Sequence, residues 1–143
     1  MDKMGYQYTD YTHFHSPNLS KYIFPGLGII PIDRKTNGKD AIVNAEEALN
    51  SGKLIAIFPE GTINRTDDIM MPFKGGAVKI ASDTDTRIVP FAITGKYKPF
   101  QKGLTVKFFP SIEVPHGSLK ATNKMLENTV RQELEKSKES KLA

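Results

Sequence analysis

Phe58, Pro59, Glu60, Gly61 and Thr62 close an apolar run, and Arg65 and Thr66 follow at once. These residue types suit the capture of an anion. Pro59 keeps Phe58 extended and ends sheet pairing. Gly61 permits a positive φ, so the chain can turn sharply and aim successive amides outward into an anion-binding concavity. Thr62 and Thr66 add hydroxyl donors, and Arg65 adds a planar fork matched to phosphate. Lys74 stands just before Gly75 and Gly76 at a predicted helix start, another favourable place for an anion. Taken singly, each signal also fits an ordinary turn. A second cluster, Asp33-Arg34-Lys35, follows a short apolar run at 28–32. Arg34 reads either as half of an exposed ion pair or as another arginine facing the same strand-end crevice.

The elements that must carry these residues follow from hydrophobic periodicity. Residues 1–22 are aromatic and polar with no regular face, and a short strand at 28–32 follows a bend. Asp40 is placed to cap a helix running to about Asn50, with Ile42, Ala45, Ala48 and Leu49 on one face. Gly52 suits the left-handed position that ends it. Residues 54–58 form a continuous apolar run, expected of a strand covered on both sides. A helix from Gly75 or Gly76 to about Ser82 is expected next, then strands at 88–94 and 104–109 and a short extension at 112–114. A last helix, from Asn123 to about Lys138, carries Met125, Leu126, Val130 and Leu134, with Glu127 and Arg131 spaced as a supporting ion pair.

The order strand, helix, strand, helix, strand, strand, helix indicates an α/β fold, a partly parallel sheet flanked by helices. Ligands in such sheets sit at the carboxyl ends of strands, where Glu60 and Gly61 fall. The 143 residues are read as a single domain, with 1–22 as a poorly patterned N-terminal stretch and 122–143 as a C-terminal helix and tail. Hydrophobic residues make up 38% and charged residues 25%, which excludes a disordered class. The chain contains no cysteine, which excludes a disulfide framework and thiolate metal sites. The three histidines have no metal-ligand spacing. No apolar run reaches the ~18 residues that span a bilayer, and the N-terminus has no signal-peptide core. The net charge of +4 fits either anionic partners or simple solubility. No stripe of basic and aromatic residues points to nucleic acid.

Taken in order, these segments resemble the glycerolipid acyltransferase family that includes the 1-acyl-sn-glycerol-3-phosphate acyltransferases. GIIPIDR at 28–34 resembles the family's second block, FPEGT at 58–62 matches the third, and IVPFAI at 88–93 resembles the fourth. PFKGGAVKIA at 72–81 is similar to the segment between the last two. The resemblance covers roughly residues 20–115 and rests on an ordered set rather than one pentapeptide. It implies transfer of an acyl group to lysophosphatidate in phospholipid biosynthesis, with acyl-CoA or acyl-carrier protein as co-substrate and no further cofactor. Arg34 would bind the acceptor's phosphate. Glu60 and Gly61, with Thr62 closing the block, would shape the acceptor pocket and hold its glycerol end. The family commonly has arginine directly after that threonine; here Ile63 stands there, and Arg65 would supply part of the missing charge, with Lys74 a further phosphate contact. A cytoplasmic location with peripheral membrane contact is the corresponding expectation.

The family's first block is a histidine followed five positions later by an aspartate. The histidine takes the proton of the attacking hydroxyl, and the aspartate orients the imidazole. His13 is followed at that spacing by Asn18, His15 by Ser20 and His116 by Ala121. No catalytic residue is therefore assigned within these 143 residues. The expectation is an incomplete acyltransferase domain with impaired transfer. The alternatives are a phospholipid head-group binding module and an inactive gene fragment.

Overall fold

The computed structural model describes residues 5–8, 29–31, 39–95 and 103–140. The chain divides into two compact units, 1–62 and 63–143.

In the first unit, β1 (Gly5–Tyr8) lies between β2 (Ile29–Pro31) and β3 (Ile55–Ala56) and runs parallel to both. Tyr6 stands opposite Ile29 on one side and Ala56 on the other. β1 falls in a stretch where the sequence shows no element. Four residues are too few for an alternation to register, and this strand exists because distant strands pair with it. Parallel strands need a crossover connection. The helix α1 (Lys39–Asn50) supplies it between β2 and β3 and packs on both.

The helix α1 starts one residue before Asp40, so Asp40 lies inside the first turn, where its charge suits the positive end of the helix. Ala41 and Ala45 are buried, and Ile42, Ala48 and Leu49 are half-buried, close to the predicted face. Gly52 takes φ +76°. Its N–H donates to the Leu49 carbonyl at 2.8 Å and the Lys53 N–H to that of Ala48 at 3.0 Å, which closes a Schellman cap. β3 is shorter than the run 54–58. Leu54 is 61% and Phe58 50% exposed, so cover on both faces does not extend over the whole run. β1 reaches only Ile55 and Ala56, and the Phe58 carbonyl is taken by the turn that succeeds it.

The second unit contains α2 (Gly76–Asp83), the antiparallel pair β4 (Phe91–Gly95) and β5 (Leu104–Phe108), and α3 (Leu119–Glu139). The strand predicted at 88–94 is split: Ile88 makes an isolated bridge to Ile112, and β4 begins only after Pro90, which has no N–H for a ladder. Val78, Ala81, Val114 and Leu126 form the core, with Phe73, Ile88, Ile112 and Leu119 packed on its edge. The helix α3 begins four residues earlier than Asn123, because Leu119 and Thr122 add a turn to its buried face. Leu126 lies on that face as expected, but Met125 is 45% exposed. The buried neighbour of Leu126 is instead Glu127. Lys107 on β5 reaches Glu133 on α3 at 2.7 Å, which ties the strand pair to the helix.

Candidate functional site

The turn at 58–61 is closed by its own backbone. The Gly61 N–H donates to the Phe58 carbonyl at 3.0 Å, with Pro59 and Glu60 at the two central positions. Proline suits the first of these and glycine the residue after the second. Gly61 takes φ +62°, a left-handed conformation that side chains resist. Glu60 and Gly61 are half-buried, and Thr62 is exposed at the end of the first unit.

Past the turn, Asn64 organises the chain. Its Oδ1 accepts from the Thr66 N–H at 2.9 Å and from the Thr66 hydroxyl at 2.8 Å, and its Nδ2 donates to the Asp68 carbonyl at 2.8 Å. The Thr66 hydroxyl, read from sequence as a donor to an anion, is thus directed at Asn64. Arg65, between them, is exposed. Sequence reasoning passed over Asn64, although asparagine two residues before a bonded N–H is a recognisable turn signature.

The segment Pro72–Gly75 is held from a distance. The Phe73 N–H donates to Glu127 Oε2 at 3.0 Å, and Asn123 Nδ2 donates to the Phe73 carbonyl at 3.0 Å. Glu127 is 6% exposed, and its other oxygen, Oε1, accepts from Lys124 at 2.7 Å, with Arg131 at 3.9 Å. The Lys124 hydrogen bond, then the Phe73 N–H, hold the Glu127 carboxyl below its ordinary value against the opposing effect of burial; the charges of Lys124 and Arg131 add to this. Lys74 comes next, exposed, and Gly75 takes the N-cap position of α2 with no side-chain capping bond. The N-terminus of α2 thus lacks a capping side chain, beside the one lysine of the segment. The sequence suggests Glu127 only as the partner of Arg131. Its main contacts come from Lys124 and from a backbone 54 residues away.

Arg34 lies outside the described residues, as do His13 and His15. Glu60, Gly61 and Thr62 close the first unit, and Arg65 and Lys74 belong to the second. His116 meets Ser82 Oγ through Nδ1 at 3.0 Å, and its Nε2 is 3.7 Å from Asp85. The residue types are those of a hydrolytic triad, but the serine is buried while the His116 and Asp85 side chains are 74% and 94% exposed. The contact ties the end of α2 to the loop before α3. Among the described residues no group of three or more metal-ligating side chains converges, and no helix is long and apolar enough to cross a membrane.

The sequence profile of the acyltransferase family matches residues 12–94, which include both the 58–62 turn and Lys74. A 1-acyl-sn-glycerol-3-phosphate acyltransferase of Borreliella burgdorferi is 35% identical over 80 residues, covering 54% of this chain and 32% of that protein. Its counterpart in Limnanthes douglasii is 36% identical over 95 residues, covering 58% and 33%. The human 1-acyl-sn-glycerol-3-phosphate acyltransferase alpha is 38% identical over 76 residues, covering 51% and 26%. The chain thus spans about a third or less of the curated relatives it matches. The crystal structure of the 1-acyl-sn-glycerophosphate (LPA) acyltransferase PlsC from Thermotoga maritima superposes with a TM-score of 0.65 at 22% identity, over 96% of this chain and 57% of that one, so the α/β fold is shared. With the profile covering more than half of its length, the chain belongs to the acyltransferase family.

Proposed function

We propose that this chain carries the acceptor-binding part of a 1-acylglycerol-3-phosphate O-acyltransferase of phospholipid biosynthesis. The observation that carries the reading is the FPEGT turn, closed through Gly61 at φ +62° inside the segment that the family profile matches. The relatives named above act on 1-acyl-sn-glycerol 3-phosphate by their names, and the same acceptor is the natural occupant here. Arg34, Arg65 and Lys74 bind its phosphate, while Glu60, Gly61 and Thr62 shape the wall that holds its glycerol end. The donor is an acyl thioester, acyl-CoA or acyl-carrier protein. The acceptor hydroxyl attacks its carbonyl, an ester forms, and the thiol leaves. Contact with the membrane is peripheral.

These 143 residues contain no histidine followed five positions on by aspartate. General-base catalysis contributes about 10²–10⁴-fold, so this stretch alone transfers little. The purified chain is mixed with acyl-CoA and lysophosphatidate, and thiol release is followed. Turnover no greater than that of Glu60→Ala is expected; clear turnover above that control overturns the claim of catalytic incompleteness. The same missing spacing favours a second reading, a head-group binding module that transfers nothing. Titration with lysophosphatidate in detergent tests it: binding weakened by Arg34→Ala supports it, and absent or unaffected binding rejects it.

A further inference from the structure

We infer that Asn123 and Glu127 are positioning residues, which grip the Phe73 main chain from α3 and so fix where Lys74 presents its ammonium to a phosphorylated acceptor. The inference rests on the reading of Lys74 as a phosphate contact. Both polar groups of the Phe73 backbone are claimed by side chains of one helix: the carbonyl by Asn123 Nδ2 and the N–H by Glu127 Oε2, each at 3.0 Å. The two residues stand four apart and therefore share a face of α3. The Phe73 side chain packs against the core beneath. Phe73 is thus held through its side chain, its N–H and its carbonyl, one residue before Lys74.

Beyond Lys74 the backbone enters α2 through Gly75, whose carbonyl accepts from the Lys79 N–H at 3.1 Å. A Cβ added at Gly75 or Gly76 would meet nothing within 4 Å, so close packing does not require glycine at either place. Lys74 is therefore held between the Phe73 grip and the first turn of α2, and Asn123 and Glu127 set the Phe73 side. The grip also has a cost. Asn123 Oδ1 is buried with no hydrogen-bond partner among the described residues, a penalty that a purely space-filling residue would avoid. Glu127 is a buried carboxylate kept ionised by Lys124 and Arg131.

A double-mutant cycle on the whole chain separates positioning from general stabilisation. Binding of lysophosphatidate in detergent is measured for the wild type, Lys74→Ala, Asn123→Ala and the double variant, at a temperature where circular dichroism shows all four folded. Asn123→Ala is expected to weaken binding about tenfold, within the range of coupling between residues in contact. Lys74→Ala is expected to weaken it by a similar factor, and the double variant by no more than Lys74→Ala alone. Glu127→Gln, which keeps an acceptor for the Phe73 N–H, should stay within about threefold of the wild type. Multiplicative losses in the double variant, or Asn123→Ala binding as well as the wild type, overturn the inference while leaving Lys74 as a phosphate contact. Lys74→Ala binding as tightly as the wild type, or no binding by the wild type, overturns that reading and the inference with it.

Discussion

Two segments that carry candidate site residues are built in opposite ways. The turn at 58–61 closes on itself: one backbone hydrogen bond joins the ends of four residues, and proline and a left-handed glycine supply the dihedral angles. The segment Pro72–Gly75 has no such closure. Its Phe73 backbone is bonded to Asn123 and Glu127, 50 and 54 residues further along the chain. A locally closed turn keeps its shape for as long as its own residues are kept. A segment gripped from afar depends on a helix that must itself be docked, and so shares the stability of the core around Leu126.

The sharpest way to break the contrast is at Glu127. Glu127→Ala removes the acceptor of the Phe73 N–H and leaves Lys124 without its partner. A loss of roughly 1.5–3 kcal/mol is expected, as for a hydrogen bond to a charged group, read from the urea midpoint at constant slope. The pH dependence carries the same signature. The folded carboxyl lies below its ordinary value of 4.5, so the unfolded chain takes up this proton first as acid is added. The contribution of Glu127 is whole above the ordinary value and is lost as pH falls through the lowered one. The wild type should therefore lose its advantage in melting temperature over Glu127→Gln on descending through that range. A constant difference between the two at every pH would argue against an ionised, bonded Glu127.

A smaller effect is expected in the turn. Gly61→Ala places a Cβ at φ +62°, where side chains cost roughly 1–2 kcal/mol. This loss should be insensitive to pH and should leave the effect of Glu127→Ala unchanged, because the turn draws on neither Glu127 nor Asn123. Coupling between the two variants in a thermal-unfolding cycle would contradict the independence of the segments. The smallest effect belongs to Asn64. Asn64→Ala removes three exposed hydrogen bonds to Thr66 and Asp68, and about 0.5–1 kcal/mol is expected. Its clearer readout is faster amide exchange at Thr66, whose N–H loses its acceptor, with little change in the global melting temperature.

The same contrast explains what could be read in advance. Pro59, Gly61 and the Gly52 cap have meaning within a few residues, and the turn and the end of α1 stand where their residue types place them. The helix α2 likewise spans nearly the stretch its pattern implied. β1 escaped notice because Gly-Tyr-Gln-Tyr has no pattern without the strands on either side of it. The run 54–58 reads as a covered strand, yet only Ile55 and Ala56 find a partner strand, since pairing is set by the neighbour's reach. The role of Glu127 was hidden for a further reason. A glutamate four residues before an arginine looks like an ordinary pair on a helix surface, and nothing local says that the face is buried.

The order of the elements from β2 onward, the α/β class, the punctuated turn at 58–61 and the ordered family blocks were determined by the sequence alone, because each depends on local dihedral preference, periodicity or the order of residue types. Only the tertiary structure decided which strand lies at the centre of the parallel sheet, where β3 stops, and that Phe73 is held by α3 beside Lys74. Those outcomes depend on which distant groups come within 3 Å of one another, and spacing along a chain does not encode that distance.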